Sequence, residues 1–244
     1  MQRGPWSLYA IDTIGGTLDG TAGARECTIH GVVKVNSDDS PYRVANEFIA
    51  GRLAMMLGLP VPPGVIVKVD DETLAYVWLK FGPKGETPPP VSPAALAKDK
   101  PALAAKIVTF DCWIANPDRF SQNLCYAKNL IDAMIWDHEQ ALFGASGNRR
   151  LDRLEDVRDR AILNGCLASY VTSTEHFSSF ARHIRFLCEG SDSPLRSVCE
   201  EARISGAILP DEEDALVEVL EHRESNLLKM VQTLPSLKGQ TVMT

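Results

Sequence analysis

Along the first third of the chain, apolar residues alternate with polar or turn-forming ones; further on they recur at spacings of three and four. "SLYAIDTIGG" and "IHGVVKVN" carry β-type residues bounded by Gly, Asp and Asn, which predicts a hairpin over residues 6 to 36. Its turn region, "GGTLDGTAGARE", contains Gly15, Gly16, Gly20 and Gly23, and Lys34 ends the apolar run of the second strand. "SPYRVANEFIAGRLAMMLGL" then predicts a helix with Ser40 as N-cap, Pro41 at the first helical position and Gly58 as its stop. Ala45, Ile49, Leu53 and Met56 form the apolar stripe of that helix. Glu47 lies off the stripe beside Ala50, Gly51 and Ala54, small residues that let another element approach its carboxylate. "GVIVKVDDETLAYVWLKFG" alternates like two strands joined at "DDE".

The proline-rich "GPKGETPPPVSPAALAKDKP" cannot continue a sheet and reads as a linker. It divides the chain into an N-lobe, residues 1–84, a hinge, 85–100, and a C-lobe, 101–244. In the C-lobe "LAAKIVTFDCWIAN" predicts a helix, and "NLCYAKNLIDAMIWDHEQAL" a strand, a turn around Lys128 to Asp132 and a second strand. Residues 151–190 and 211–234 read as helices, the last with Leu216, Val219, Leu220, Leu227, Val231 and Leu234 on one side. The expected fold class is α+β and bilobal: a small antiparallel sheet with one helix, then a larger, mostly helical part.

Composition narrows the classes. The chain has 244 residues, 45% hydrophobic and 23% charged, with no run of about 18 apolar residues, so neither disorder nor membrane spanning is expected. The N-terminal "MQRGPWSLYAIDTIGG" lacks the apolar region of a signal peptide, which predicts a cytoplasmic protein. Six cysteines without a Cys-x-x-Cys pair read as reduced, packed thiols. The net charge of −7 is spread evenly, with 8 basic and 10 acidic groups in residues 1–90 and 17 and 22 in the rest. With no basic arm to track phosphates, direct nucleic-acid binding is not expected, and no basic or amphipathic patch points to a membrane.

Lys34 on a strand and Glu47 on the following helix suit phosphate positioning, because the ammonium reaches phosphate oxygens while the carboxylate holds its flexible stem. Taken singly, both are ordinary surface types. Glycines such as Gly20 and Gly23 make a hairpin turn and also let backbone N–H groups approach phosphates. Asp118 and Asn123, in "NPDRFSQNL", have the spacing of a loop in which a carboxylate accepts a hydroxyl proton and an amide oxygen binds a metal ion. Read locally, Asn-Pro-Asp-Arg is also good turn chemistry. Asp137 follows at the end of an apolar strand, where a carboxylate can hold Mg2+. These features occur in order, with the hinge between Glu47 and Asp118, and the order joins them into one constellation.

"NPDRFSQNL" and "MIWDHEQAL", with "VVKVN…ANEFIAGRLAMMLGLPVPP" and "LEHRESNLLKMV", resemble the HipA-like kinases, in the small form without the extra N-terminal subdomain. More remotely the chain is similar to phosphoinositide kinases. The resemblance runs over roughly residues 12 to 234. It implies a bilobal protein-kinase-like fold with ATP and Mg2+ in the cleft and a serine/threonine protein substrate, with a small regulatory partner as a further possibility. By position it implies that Lys34 contacts phosphates, Glu47 pairs with Lys34, Asp118 is the base, Arg119 orders the loop, and Asn123 and Asp137 hold the metal. "YVWLKFG", with Lys80 and Phe81, is where the nucleotide base would pack. Three features depart from the pattern: Phe120 stands where related loops often carry His, "DHE" lacks a glycine after the metal ligand, and no clean G-x-G-x-x-G occurs. They keep open a nucleotide-binding pseudokinase, and a lipid or small-molecule kinase would share the site. In "GASGNRR", Ser146, Arg149 and Arg150 read as a solvated loop where activation segments lie.

Overall fold

The computed structural model describes residues 11–18, 23–82, 91–127, 131–145, 150–163, 165–172 and 175–234. The expected pairing of "SLYAIDTIGG" with "IHGVVKVN" does not form: the partner of the first strand is residues 25–29, of which all but Ile29 precede the expected second strand, and the chain from Gly31 on joins another sheet. Strands β1 (Ile11–Thr17) and β2 (Arg25–Ile29) pair antiparallel as a separate, largely exposed ribbon. Strand β3 (Gly31–Val35) instead joins β4 (Gly64–Lys68) and β5 (Leu74–Leu79) in an antiparallel sheet of order β3-β5-β4. The β4–β5 turn falls where "DDE" places it, and the Asp70 carboxylate closes it by accepting the N–H groups of Glu72 and Thr73. Lys34 pairs with Tyr76, and Val32 with Trp78. Strand alternation therefore puts the lysine on the same face as two largely buried aromatics.

That face packs on helix α1 (Arg43–Met56). The helix starts later than its sequence suggests. Ser40 is held in a tight turn by paired backbone bonds with Ser37, so the helix opens at Arg43 after Tyr42. The cap comes from farther off: Asn36 Oδ1 accepts the Val44 N–H at 2.9 Å. Beyond its predicted stripe, α1 is buried on nearly every side, because the sheet covers one flank and helix α6 (Pro194–Ile204) the other. Gly51 is needed at this contact, since a Cβ there would come within 2.8 Å of the Tyr76 hydroxyl.

Within the stretch read as a hinge, Ser92 caps a short helix, α2 (Pro93–Asp99), with Pro93 in its first turn. Helix α3 (Pro101–Trp113) follows and ends in a left-handed residue, Ala115. Its N–H reaches Cys112 O, and the Asn116 N–H reaches Asp111 O, the two bonds of a Schellman ending. Arg223, buried on the long helix α7 (Pro210–Gln232), donates to the Trp113 and Cys112 carbonyls of the same helix end. Strands β6 (Leu124–Ala127) and β7 (Ile131–Ile135) form the expected hairpin.

Residues 151–190 were expected to be helical throughout; they form α4 (Arg150–Val157) and α5 (Glu175–Cys188), with turns between. The chain leaves the helical path there to pass behind Arg119, whose carbonyl accepts the Cys166 N–H at 2.8 Å. A side chain at Gly165 would meet the Arg119 Cβ at 3.0 Å. One apolar core runs from α1 and β5 through α3 to α5, α6 and α7. The fold is thus α+β, a small antiparallel sheet with α1 joined to a larger helical part. Among the described residues no helix is long and apolar enough to cross a membrane. All six cysteines are unpaired.

Asn36→Ala should lower stability by about 1 kcal/mol, the usual worth of an N-cap, read as a lower urea midpoint at unchanged slope. An unchanged midpoint would show that the Val44 N–H does not depend on this cap.

Candidate active site

The Schellman turn of α3 delivers the chain directly into the loop that holds Asp118 and Asn123. Asp111, in the last turn of α3, is buried and holds Arg119 through both carboxylate oxygens, each at 3.1 Å. Arg119 also donates to the carbonyls of Asn123, at 3.0 Å, and Trp136. Asn116 donates to Asp111 at 2.9 Å and accepts the Asp118 N–H at 3.1 Å, so it fixes the loop as well as the helix end. The Asn123 amide nitrogen donates to the Asp118 backbone oxygen at 2.8 Å and to its carboxylate at 3.2 Å. Both bonds use nitrogen, so the amide oxygen is the atom suited to a cation. The Trp136 N–H donates to Asn123 O at 3.2 Å, which brings the end of β7, and with it Asp137, against the loop.

Lys34 reaches this point from the sheet. Its Nζ lies 2.6 Å from Glu47 Oε1, 2.6 Å from Asp137 Oδ1 and 3.4 Å from Glu139 Oε2. Arg43 Nε is 2.9 Å from the same Glu139 oxygen. Glu47 is 2% exposed and also accepts the His138 N–H at 3.0 Å. Burial alone would raise its pKa, but bonding to His138 and the Lys34 charge outweigh that and hold the carboxyl down at about 2. Burial works against the charged Lys34 too, yet Glu47 and Asp137 raise its pKa above the ordinary value. For Asp137 burial wins: its pKa is raised despite Lys34, with Glu47 and Glu139 adding repulsion. His138 is buried, and burial together with the Arg119 charge lowers its pKa, against the pull of Glu47. One oxygen each from Glu47, Asp137 and Glu139 lie within 4.8 Å of one another. Asp137 itself has φ of 64°, a left-handed conformation that costs a non-glycine residue roughly 1–2 kcal/mol.

Lys34, Glu47 and Asp137 therefore meet directly, while Asp118, Arg119 and Asn123 form a bonded loop tied to Trp136, the neighbour of Asp137. Gly23 has φ of 78° at the foot of β2, in open space; Gly20 lies outside the described residues, as do Ser146 and Arg149. Lys80 is exposed, its N–H bonded to His30 O at 2.9 Å. The Phe81 ring is buried between Trp78 and Trp136, with centroids 6.2 and 5.4 Å away. Four residues escaped the sequence reading: Asp111, Asn46, His138 and Glu139. Only Asp111 left a plain signal, a carboxylate inside the apolar helix "TFDCW" that needs a buried partner.

Asp111→Ala strands the Arg119 guanidinium and should cost about 3–5 kcal/mol, seen in urea unfolding; a loss below about 1 kcal/mol would mean the loop is held by other contacts. A second effect depends on pH. Because Glu47 falls from 4.5 to about 2 on folding, its contribution of about 3 kcal/mol is complete above pH 4.5 and is lost as pH falls towards 2. The stability gap between the wild type and Glu47→Gln should therefore shrink below pH 4.5, and a gap that stays constant down to the acid transition would contradict this balance.

No curated protein sequence matches this chain. Among solved structures, the proinflammatory kinase CtkA of Helicobacter pylori is similar with a TM-score of 0.57 at 11% identity, over 97% of this chain and 99% of that one. HipA of the Shewanella oneidensis MR-1 toxin–antitoxin system, solved with HipB and operator DNA, gives a TM-score of 0.42 at 15% identity, over 92% of this chain and 63% of that one. The likeness to CtkA establishes a kinase-like fold. The family model for HipA-like kinases matches residues 29–149, the span that holds Lys34, Glu47, the Asp118 loop and Asp137. Over that span, just under half of the chain, the sequence matches the HipA-like kinases, in keeping with the kinase-like fold.

Proposed function

We propose that this chain is an ATP- and Mg2+-dependent kinase that phosphorylates serine or threonine hydroxyls of a cytoplasmic protein. The observation that carries this reading is Lys34 Nζ lying 2.6 Å from both the helix carboxylate of Glu47 and the strand-end carboxylate of Asp137. A single ammonium is thereby aimed at the place where a cation-bearing polyphosphate would sit. Lys34 binds phosphate oxygens, and Glu47, fixed by His138 N–H, keeps the lysine stem extended. Asn123 and Asp137 supply hard oxygen donors of the kind Mg2+ takes, with Glu139 nearby. When bound, the ion neutralises charge on the phosphate oxygens.

Asp118 orients the acceptor hydroxyl. As the acceptor oxygen bonds to the γ-phosphorus and the bond to the ADP oxygen breaks, the hydroxyl proton passes to the Asp118 carboxylate. The Asn123 amide holds that carboxylate in place at 3.2 Å. Lys80 and Phe81, at the end of β5, mark the edge proposed for the nucleotide base, and Gly20 and Gly23 the turn above the phosphates. A small regulatory protein partner belongs to the same reading.

A pseudokinase is the second reading, and Glu139 favours it. Where the glycine after the metal ligand is missing, this third carboxylate sits 3.4 Å from Lys34 and competes for it.

Incubation with Mg2+ and γ-labelled ATP, followed by mass spectrometry, separates the two. The wild type should incorporate phosphate, Asp137→Ala should lose transfer altogether, and Asp118→Asn should slow it about 10²–10⁴-fold while keeping the thermal shift that ATP and Mg2+ produce. A nucleotide-dependent shift with no product from the wild type assigns the pseudokinase. Normal turnover by either variant would sink the catalytic roles of Asp118 and Asp137.

A further inference from the structure

Asn46 precedes Glu47 on α1 and is wholly buried, yet no part of the phosphotransfer scheme uses it. Its amide nitrogen donates to Glu139 O at 2.7 Å and Gly144 O at 3.1 Å, and its amide oxygen accepts the Phe143 N–H at 3.2 Å. All three partners are backbone groups, so one side chain spans both ends of the segment that follows Asp137. That segment is costly to hold. Asp137 and Leu142 are both left-handed, with φ of 64° and 49°, conformations that a non-glycine residue keeps only when its surroundings over-determine them.

The other restraints act at single points. Glu47 takes the His138 N–H, Ile114 O takes the Leu142 N–H, and Arg119 holds Trp136 O. Only Asn46, among the described side chains, bonds to both Glu139 and Gly144, which makes it the brace across the turn. Its position beside Glu47 has a further effect: two consecutive residues of one helix set Lys34 through a carboxylate and the Asp137 segment through an amide.

We infer that Asn46 is a positioning residue for the phosphotransfer site, fixing the carboxylate of Asp137 by bracing the backbone from Glu139 to Gly144. This rests on the kinase reading. An outer partner that orients a ligand-bearing segment typically governs metal affinity by 10–100-fold, so the predicted effect is on Mg2+ rather than on the nucleotide itself.

Asn46→Asp keeps the shape and turns two donated hydrogen bonds into repulsion between a carboxylate and two carbonyls. In the full chain, hydrogen exchange of the 138–144 amides should be at least about tenfold faster in this variant, with α5 to α7 unchanged. The Mg2+ concentration giving half of the thermal shift in the presence of ADP should rise about 10–100-fold, and KM for ATP at saturating Mg2+ should stay within about threefold. If Asn46→Asp does not fold, Asn46→Ser, which shortens the brace without adding charge, is measured in its place. Unchanged exchange overturns the inference, and so does faster exchange with the Mg2+ midpoint of the wild type, which would reduce Asn46 to a packing role. A wild type that responds to Mg2+ and ADP but transfers no phosphate overturns the kinase reading alone; a wild type with no Mg2+ response overturns both.

Discussion

A guanidinium taken out of water must find acceptors for nearly all of its N–H groups, or its burial costs several kcal/mol. Arg119, 1% exposed, finds them on three different elements: the Asp111 carboxylate on α3, the Asn123 carbonyl in the loop, and the Trp136 carbonyl at the end of β7. These bonds cannot all be made unless α3, the loop and β7 stand in one arrangement. Asn123 and Asp137 are consequently placed by backbone carbonyls that the arginine needs, and only secondarily by their own side chains. The same demand reaches outward. It requires α3 to end at Ala115 so that Asn116 can turn back to Asp111, and it requires a glycine at 165, because the covering chain passes against the arginine stem.

Much of this could be read from the sequence, for reasons that differ by element. Lys34 and Glu47 stood out as a strand lysine followed by a helical glutamate, and Asp118, Asn123 and Asp137 by residue type and spacing; that Lys34 shares the face of Tyr76 and Trp78 depends on the register with β5, which the sequence does not show. The start of α1 was not. Ser40 and Pro41 are good local signals, but the backbone pairing of Ser37 with Ser40 delays the helix, and its cap arrives from Asn36, eight residues before the N–H it bonds. Helical periodicity from 151 to 190 was misleading in a similar way, since covering Arg119 outweighed local propensity. Asn46 was invisible because an asparagine inside a helix is ordinary in sequence; its three partners lie more than ninety residues away.

Helix α1 shows why the apolar stripe alone gave too little. A helix with only one covered flank would leave Glu47 in water, as its place off the stripe suggested. With the sheet on one flank and α6 on the other, the carboxylate is inside the protein and must be satisfied there. Lys34 Nζ and the His138 N–H supply that need, and the two contacts link helix, sheet and the Asp137 segment through one side chain. The small residues expected to admit a neighbour do so at Gly51, where the neighbour is the Tyr76 hydroxyl.

The charges around Lys34 do not balance. Lys34 and Arg43 contribute two positive groups, while Glu47, Asp137 and Glu139 contribute three negative ones when ionised, a net of −1. Burial is the main cause of the raised pKa of Asp137, and repulsion from Glu47 and Glu139 adds to it against the pull of Lys34. Under the kinase reading the imbalance bears on what the site takes. A polyphosphate alone would add negative charge to a site already in deficit of positive charge, and a divalent cation bound with it would offset part of that charge. Glu139 takes part in this balance. It lies 3.4 Å from the same lysine, so under that reading a cation held by Asp137 and Glu139 would leave Lys34 freer to meet phosphate oxygens while Glu47 keeps its stem extended.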